Sequence, residues 1–330
     1  MPLTLESAIA TFGKSIKAKL SNPATIGQPE DQLRSPFERL LIDVAELLKV
    51  SDVTPVGESA LRELKTRPDY SVTVKQALIG FVELKAPGKG ADPKKFKDKH
   101  DQAQWKKLSA LPNLIYCDGN SFSLWQDGEL VGSIVSFSED VATAGNKLVP
   151  PAGLLSLFEK FLFWQPIAPR TAKELARISA RLCRLLRDEV TEQLKQGSEA
   201  LTALAADWRK LLFPDASDAR FADGYAQAVT FGLLMARANG IELSQGFDRV
   251  ASDLGVTNSL IGAALRLLTE NPENQATLKT SLRALTHVLD AVDWPTISKG
   301  DPETWLYFYE DFLEVYDNKL RKKAFEKEFR

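Results

Sequence analysis

Residues 67–88 read RPDYSVTVKQALIGFVELKAPG, and the fold of the first half of the chain turns on this stretch. Asp69 follows a proline and precedes an alternating run, Tyr70, Val72 and Val74. A polar break at Lys75-Gln76 separates that run from a second apolar one, Ala77 to Leu84. β-Branched and aromatic residues suit a pleated surface, so both runs read as strands of one hairpin. Side chains alternate between the faces of a strand. Glu83 and Lys85 therefore share one face, and Val82, Leu84 and Ala86 share the other. Ala86-Pro87-Gly88 stops the second strand, because proline has no N–H for the ladder.

Three of these side chains form a set with a chemistry. Phosphodiester hydrolysis calls for a hard cation held by carboxylate oxygens. Such an ion neutralises developing phosphoryl charge and lowers the pKa of a bound water. A lysine beside it orients that water or steadies the anion. The order Pro68-Asp69, one strand and a turn, then Glu83-Leu84-Lys85 resembles the PD-(D/E)XK nuclease family. The resemblance implies that Asp69 and Glu83 are ligands of Mg²⁺, with Mn²⁺ able to substitute, and that Lys85 is the catalytic lysine. An acid-x-lysine triplet alone carries little information, and Glu63-Leu64-Lys65, Asp92-Pro93-Lys94 and Asp317-Asn318-Lys319 also occur. Those three fall in a helical stretch, a charged loop and a helix end. Only Glu83–Lys85 ends an apolar strand downstream of Pro-Asp.

Composition sets bounds. At 330 residues the chain has room for a good core and two domains. A net charge of −2 leaves any nucleic-acid surface local rather than global. Cys117 and Cys183 have no metal-ligand spacing and read as reduced, buried thiols. Two histidines, His100 and His287, argue against His-rich metal sites and His-based triads. No apolar run reaches about 20 residues and no signal-peptide core opens the chain, so a soluble, cytoplasmic protein is expected.

In chain order, residues 2–20 read as an amphipathic helix, and Ser35-Pro36 opens another, since proline suits a first helical turn. Phe37, Leu40, Leu41, Val44, Leu47 and Leu48 give that helix one apolar face. Glu38 lies near its start. By the family resemblance it is a further metal ligand; by itself it is a glutamate favoured at a helix N-terminus. Glu46 and Glu58 are weaker candidates, and residues 58–66 read as a short helical stretch. After Gly88 the segment is rich in lysine, and Lys89, Lys94, Lys95, Lys97 and Lys99 are candidate contacts to a DNA backbone, against the plainer alternative of a solvated charged face. The helix that follows carries DQAQWKKL. Related nucleases place a glutamine there in a Gln-x-x-x-Tyr pattern. Gln104 fits the first position as a catalytic residue, Leu108 replaces the tyrosine, and Gln102 is the alternative. NLIYCDGNSFSLWQDGELVGSIVSF then reads as strands broken at Asp118-Gly119 and Asp127-Gly128.

The expected fold is α+β or α/β: a restriction-endonuclease-like mixed sheet flanked by helices over residues 1–148, then an all-helical connector over 149–330. Helical segments are expected at 151–164, 170–197, 198–212, 220–239, 245–254, 258–270, 275–292 and 302–328. The last of these, TWLYFYEDFLEVYDNKLRKK, resembles the passage from helical spacer to N6-adenine methyltransferase in type IIG and type ISP restriction-modification enzymes. No Asn-Pro-Pro-Tyr motif and no glycine-rich cofactor loop occurs, so no S-adenosylmethionine site is expected in this chain. The resemblance implies a Mg²⁺-dependent endonuclease module acting on double-stranded DNA, partnered in cis or in trans by a methyltransferase and target-recognition region. The alternative is a non-catalytic DNA-binding or assembly subunit that keeps a nuclease-like fold.

Overall fold

The computed structural model describes residues 2–23, 27–57, 68–75, 77–211 and 214–317. Glu58, the helical stretch expected over 58–66, Gln76 and residues 318–330 lie outside them. Two compact units divide the chain, Met1–Gln165 and Pro166–Arg330.

The first unit is α+β and is built on the hairpin that the sequence marks. Strands β1 (Val53–Gly57), β2 (Tyr70–Val74) and β3 (Ala77–Leu84) run antiparallel in that order. Tyr70 pairs with Val82, and the register shifts between Val72 and Thr73. β1, which was not anticipated, is an edge strand, the position that tolerates its Pro55. β3 pairs in parallel with β4 (Leu114–Cys117), Glu83 opposite Tyr116. A parallel pair needs a crossover, and helix α3 (Lys99–Leu108) lies within it. β4 returns to β5 (Ser121–Gln126), which turns into β6 (Glu129–Leu130) and also pairs with β7 (Val135–Ser136). Asp127 and Gly128 both have positive φ, 51° and 79°, as a two-residue hairpin turn of the twisted kind requires.

One face of the sheet carries the core. Helices α1 (Leu5–Leu20) and α2 (Arg34–Leu47) and, after a single turn α4 (Val141–Ala144), helix α5 (Leu154–Leu162) contribute Phe12, Phe37, Phe158 and Phe161. These meet Val82, Leu84, Ile115 and Leu124 of the strands. α5 falls in the segment expected to begin the helical half, yet its apolar side belongs to this core. Close approach explains Gly80: a Cβ there would lie 2.5 Å from Phe161 Cε2 and 2.8 Å from the Asn113 side chain. On β3 every residue after Ala77 is buried, as in a strand covered on both faces. Its other face, which holds Glu83 and Lys85, is roofed by α3. There Tyr116 meets Phe96 and Trp105 edge-on, and Trp105 meets Trp125 at 4.9 Å between ring centroids.

The second unit is helical throughout its described residues. It comprises α6 (Ala172–Lys195), α7 (Glu199–Leu211), α8 (Asp218–Ala238), α9 (Phe247–Thr257) and α10 (Ser259–Thr269). Then follow α11 (Pro272–Thr277), α12 (Lys279–Asp290), α13 (Trp294–Ser298) and α14 (Thr304–Tyr316). The segment expected as one helix over 275–292 is two, joined at Leu278, whose ψ of 21° breaks the helical path. α6 packs against α8, α12 and α14. Among the described residues no helix is long and apolar enough to cross a membrane. Cys117 and Cys183 are buried free thiols, as expected.

Candidate active site

Asp69 stands one residue before β2, and the backbone N–H of Leu84 on β3 donates to its Oδ2 at 2.8 Å. Its Oδ1 pairs with the Arg34 guanidinium at the head of α2. Burial raises the Asp69 pKa above the ordinary aspartate value, with Arg34 and the Leu84 amide acting in the opposite sense. Glu83 is 4% exposed. Burial first, and the Asp69 carboxylate second, push it up to about 8, against the pull of Lys85 and Gln104. Adjoining strands thus present two carboxylates that repel one another in a poorly solvated place.

Lys85 follows β3 and is 5% exposed. Its ammonium donates to Glu83 Oε1 at 2.8 Å and Gln104 Oε1 at 2.5 Å, and it lies 3.1 Å from Asp101 Oδ1. An ammonium has three donors, and three acceptors meet them. Burial works against the charge, yet Glu83 and Asp101 outweigh it, and the Lys85 pKa is raised. Gln104 and Asp101 sit three residues apart on α3, which puts both on one side of that helix. Gln102 is turned elsewhere, donating to the Phe96 carbonyl at 2.9 Å. Of the two glutamines weighed in the sequence, Gln104 is the one at Lys85.

Glu38 lies one turn beyond Arg34 on α2, and its Oε1 accepts from the Tyr70 hydroxyl at 2.8 Å. Among the described residues no three or more His, Cys, Asp and Glu side chains gather as a ready metal cage. Glu46 lies in the last turn of α2. The lysines differ in their engagement. Lys89 pairs with Asp101, Lys94 lies 3.2 Å from Glu129 and over the Trp125 ring, and Lys95 lies 3.1 Å from Asp92. Lys97 and Lys99 are exposed at the entrance to α3.

No family model and no curated protein matches the chain. Among solved structures it is similar to a chain described as a DrdV–DNA complex determined by cryo-electron microscopy. The TM-score is 0.34 and the identity 17% over 96% of this chain. The match spans 29% of that chain's own length.

Four residues at the site escaped the sequence-level candidates: Arg34, Asp101, Glu30 and Tyr116. Arg34 and Asp101 are ordinary helix-start residues in sequence, and only their partners distinguish them. Burial raises Glu30, the charges of Asp69 and Asp31 add to that, and Lys85 and Lys89 oppose it. Tyr116 is fully buried beside Glu83, its partner across β3 and β4, and its hydroxyl has no hydrogen-bond partner among the described residues. Burial, then Glu83, Asp101 and Asp69, raise its pKa well above the ordinary phenol value.

Proposed function

We propose that this chain is a divalent-metal-dependent endonuclease that hydrolyses phosphodiester bonds of double-stranded DNA. The observation that supports this most directly is the Asp69–Glu83 pair. Two carboxylates raised by burial, one of them also by the other, with Lys85 hydrogen-bonded to Glu83, make a set of oxygens suited to a hard cation. Mg²⁺ typically takes one or two protein carboxylates and keeps several waters, so a two-carboxylate site fits it without a third ligand. Asp69 and Glu83 would hold the ion. When bound, it supplies neutralisation of phosphoryl charge and a water of lowered pKa.

The remaining work belongs to the chain's own residues. Lys85, held between Glu83 and Gln104, orients the attacking water and steadies negative charge on the phosphate. Gln104 and Asp101 position that ammonium from α3. The fixed placement matters because preorganised charge in a dry site acts more strongly than in water. Lys97 and Lys99, with Lys89, Lys94 and Lys95 beside them, contact backbone phosphates and carry no base information. Sequence selection and any adenine methylation lie with a partner region in cis or in trans.

Plasmid nicking with Mg²⁺ and with EDTA tests the proposal on wild type, Asp69→Ala and Lys85→Ala, with folding followed by circular dichroism. Cutting that needs Mg²⁺ and vanishes in both variants supports it. Cutting unchanged by either substitution removes it. A folded wild type that binds DNA yet never nicks it with Mg²⁺ or Mn²⁺ instead favours a non-catalytic binding subunit.

A further inference from the structure

Arg34 begins α2, and its Nη2 pairs with Asp69 Oδ1 while the Leu84 amide takes Oδ2. Its Nε lies 3.6 Å from Asp31 Oδ1, and its guanidinium carbon sits 5.6 Å from the centroid of the Tyr70 ring. The side chain is 26% exposed. A guanidinium on Asp69 Oδ1 and a divalent cation on the same oxygen are like charges at contact distance in a partly buried place, and they exclude one another. The planar fork that fits a carboxylate also fits a phosphate.

We propose that Arg34 is the resting counter-ion of Asp69, displaced by the divalent cation and then free to bind the phosphodiester. The inference rests on the nuclease reading above and adds a control to it: the cation both completes the site and releases its arginine. Asp31, at 3.6 Å, and the face of the Tyr70 ring remain as neighbours for the guanidinium when the cation takes Asp69. Without the cation, Arg34 is engaged and unavailable to DNA.

Mn²⁺ binding without DNA, read by electron paramagnetic resonance on the full chain, tests the first half with wild type, Arg34→Gln, Arg34→Met and Asp69→Asn. Removing the competing charge tightens Mn²⁺ by about tenfold or more in either Arg34 variant, and Asp69→Asn abolishes that binding. DNA affinity against salt tests the second half. With Ca²⁺ present, Arg34→Gln lowers the slope of log K against log salt by about one relative to wild type. With EDTA the two slopes coincide. Two Arg34 variants guard against one failing to fold. Unchanged or weaker Mn²⁺ binding in a folded Arg34 variant overturns the proposal, as does a slope difference equal with and without the cation. In those cases Asp69-dependent binding by wild type leaves the nuclease reading standing. Absence of Asp69-dependent Mn²⁺ binding in wild type and both Arg34 variants overturns both.

Discussion

The Leu84 amide donates to Asp69 Oδ2 at 2.8 Å. One carboxylate of the pair is thus fixed by the strand that carries the other, and Glu83 is Leu84's immediate neighbour. A slip of β3 against β2 breaks this bond and parts the two carboxylates, so the pair is a property of the hairpin register rather than of two independent side chains.

Lys85 is the cation that makes Glu83 and Asp101 tolerable inside the fold, where they are 4% and 3% exposed. Lys85→Met leaves Asp101 with Lys89 alone and Glu83 with no cation, and costs about 3–5 kcal/mol of stability above a pH of about 8, where Glu83 is ionised. Adding Glu83→Gln restores part of it, with a coupling of about 1–3 kcal/mol. Urea denaturation of the four members of the cycle measures both; simple additivity would contradict the network.

Stability depends on pH through Glu83, whose folded-state value is pushed from an ordinary 4.5 to about 8. Between those values the folded protein holds a proton that the unfolded chain has released. The Glu83 contribution is therefore fully present below about 4.5 and is lost as pH rises through about 8. Thermal melts in EDTA across this window show a decline that Glu83→Gln removes. A profile identical in the variant would assign the decline to other groups.

Lys97 and Lys99 are exposed, and alanine at either position weakens DNA binding equally for unrelated sequences. Each substitution lowers the magnitude of the salt slope by about 0.9. Fluorescence anisotropy at several salt concentrations reads this, and a loss confined to one sequence would mean base contact instead.

Gly80→Ala drives a methyl group against Phe161 and Asn113, at 2.5 and 2.8 Å before relaxation. Backbone and ring must shift, at about 1–3 kcal/mol. The melting temperature of the variant falls, and replacing the ring by a smaller aliphatic side chain in Gly80→Ala/Phe161→Leu recovers part of the loss. No recovery would place the strain on Asn113.

The hairpin, both Asp-Gly turns, the first two helices and the helical second half were legible in the chain, because each is signalled by neighbours in sequence: period-two runs, turn dipeptides, and apolar stripes at helical spacing. Glu83 and Lys85 on one face followed from strand alternation alone. The edge strand Val53–Gly57 was not, since five residues with a central proline carry little pattern.

What the sequence determined by itself is the set of groups and their order: Asp69 before one strand, Glu83 and Lys85 at the end of the next. Tertiary structure alone decided what each group meets. α3 brings Asp101 and Gln104 to Lys85, α2 sets Arg34 on Asp69, and Tyr70 takes Glu38. Partners 16 to 35 residues apart in sequence leave no local signal, because only the packing of helix on sheet selects which polar side chains are buried together.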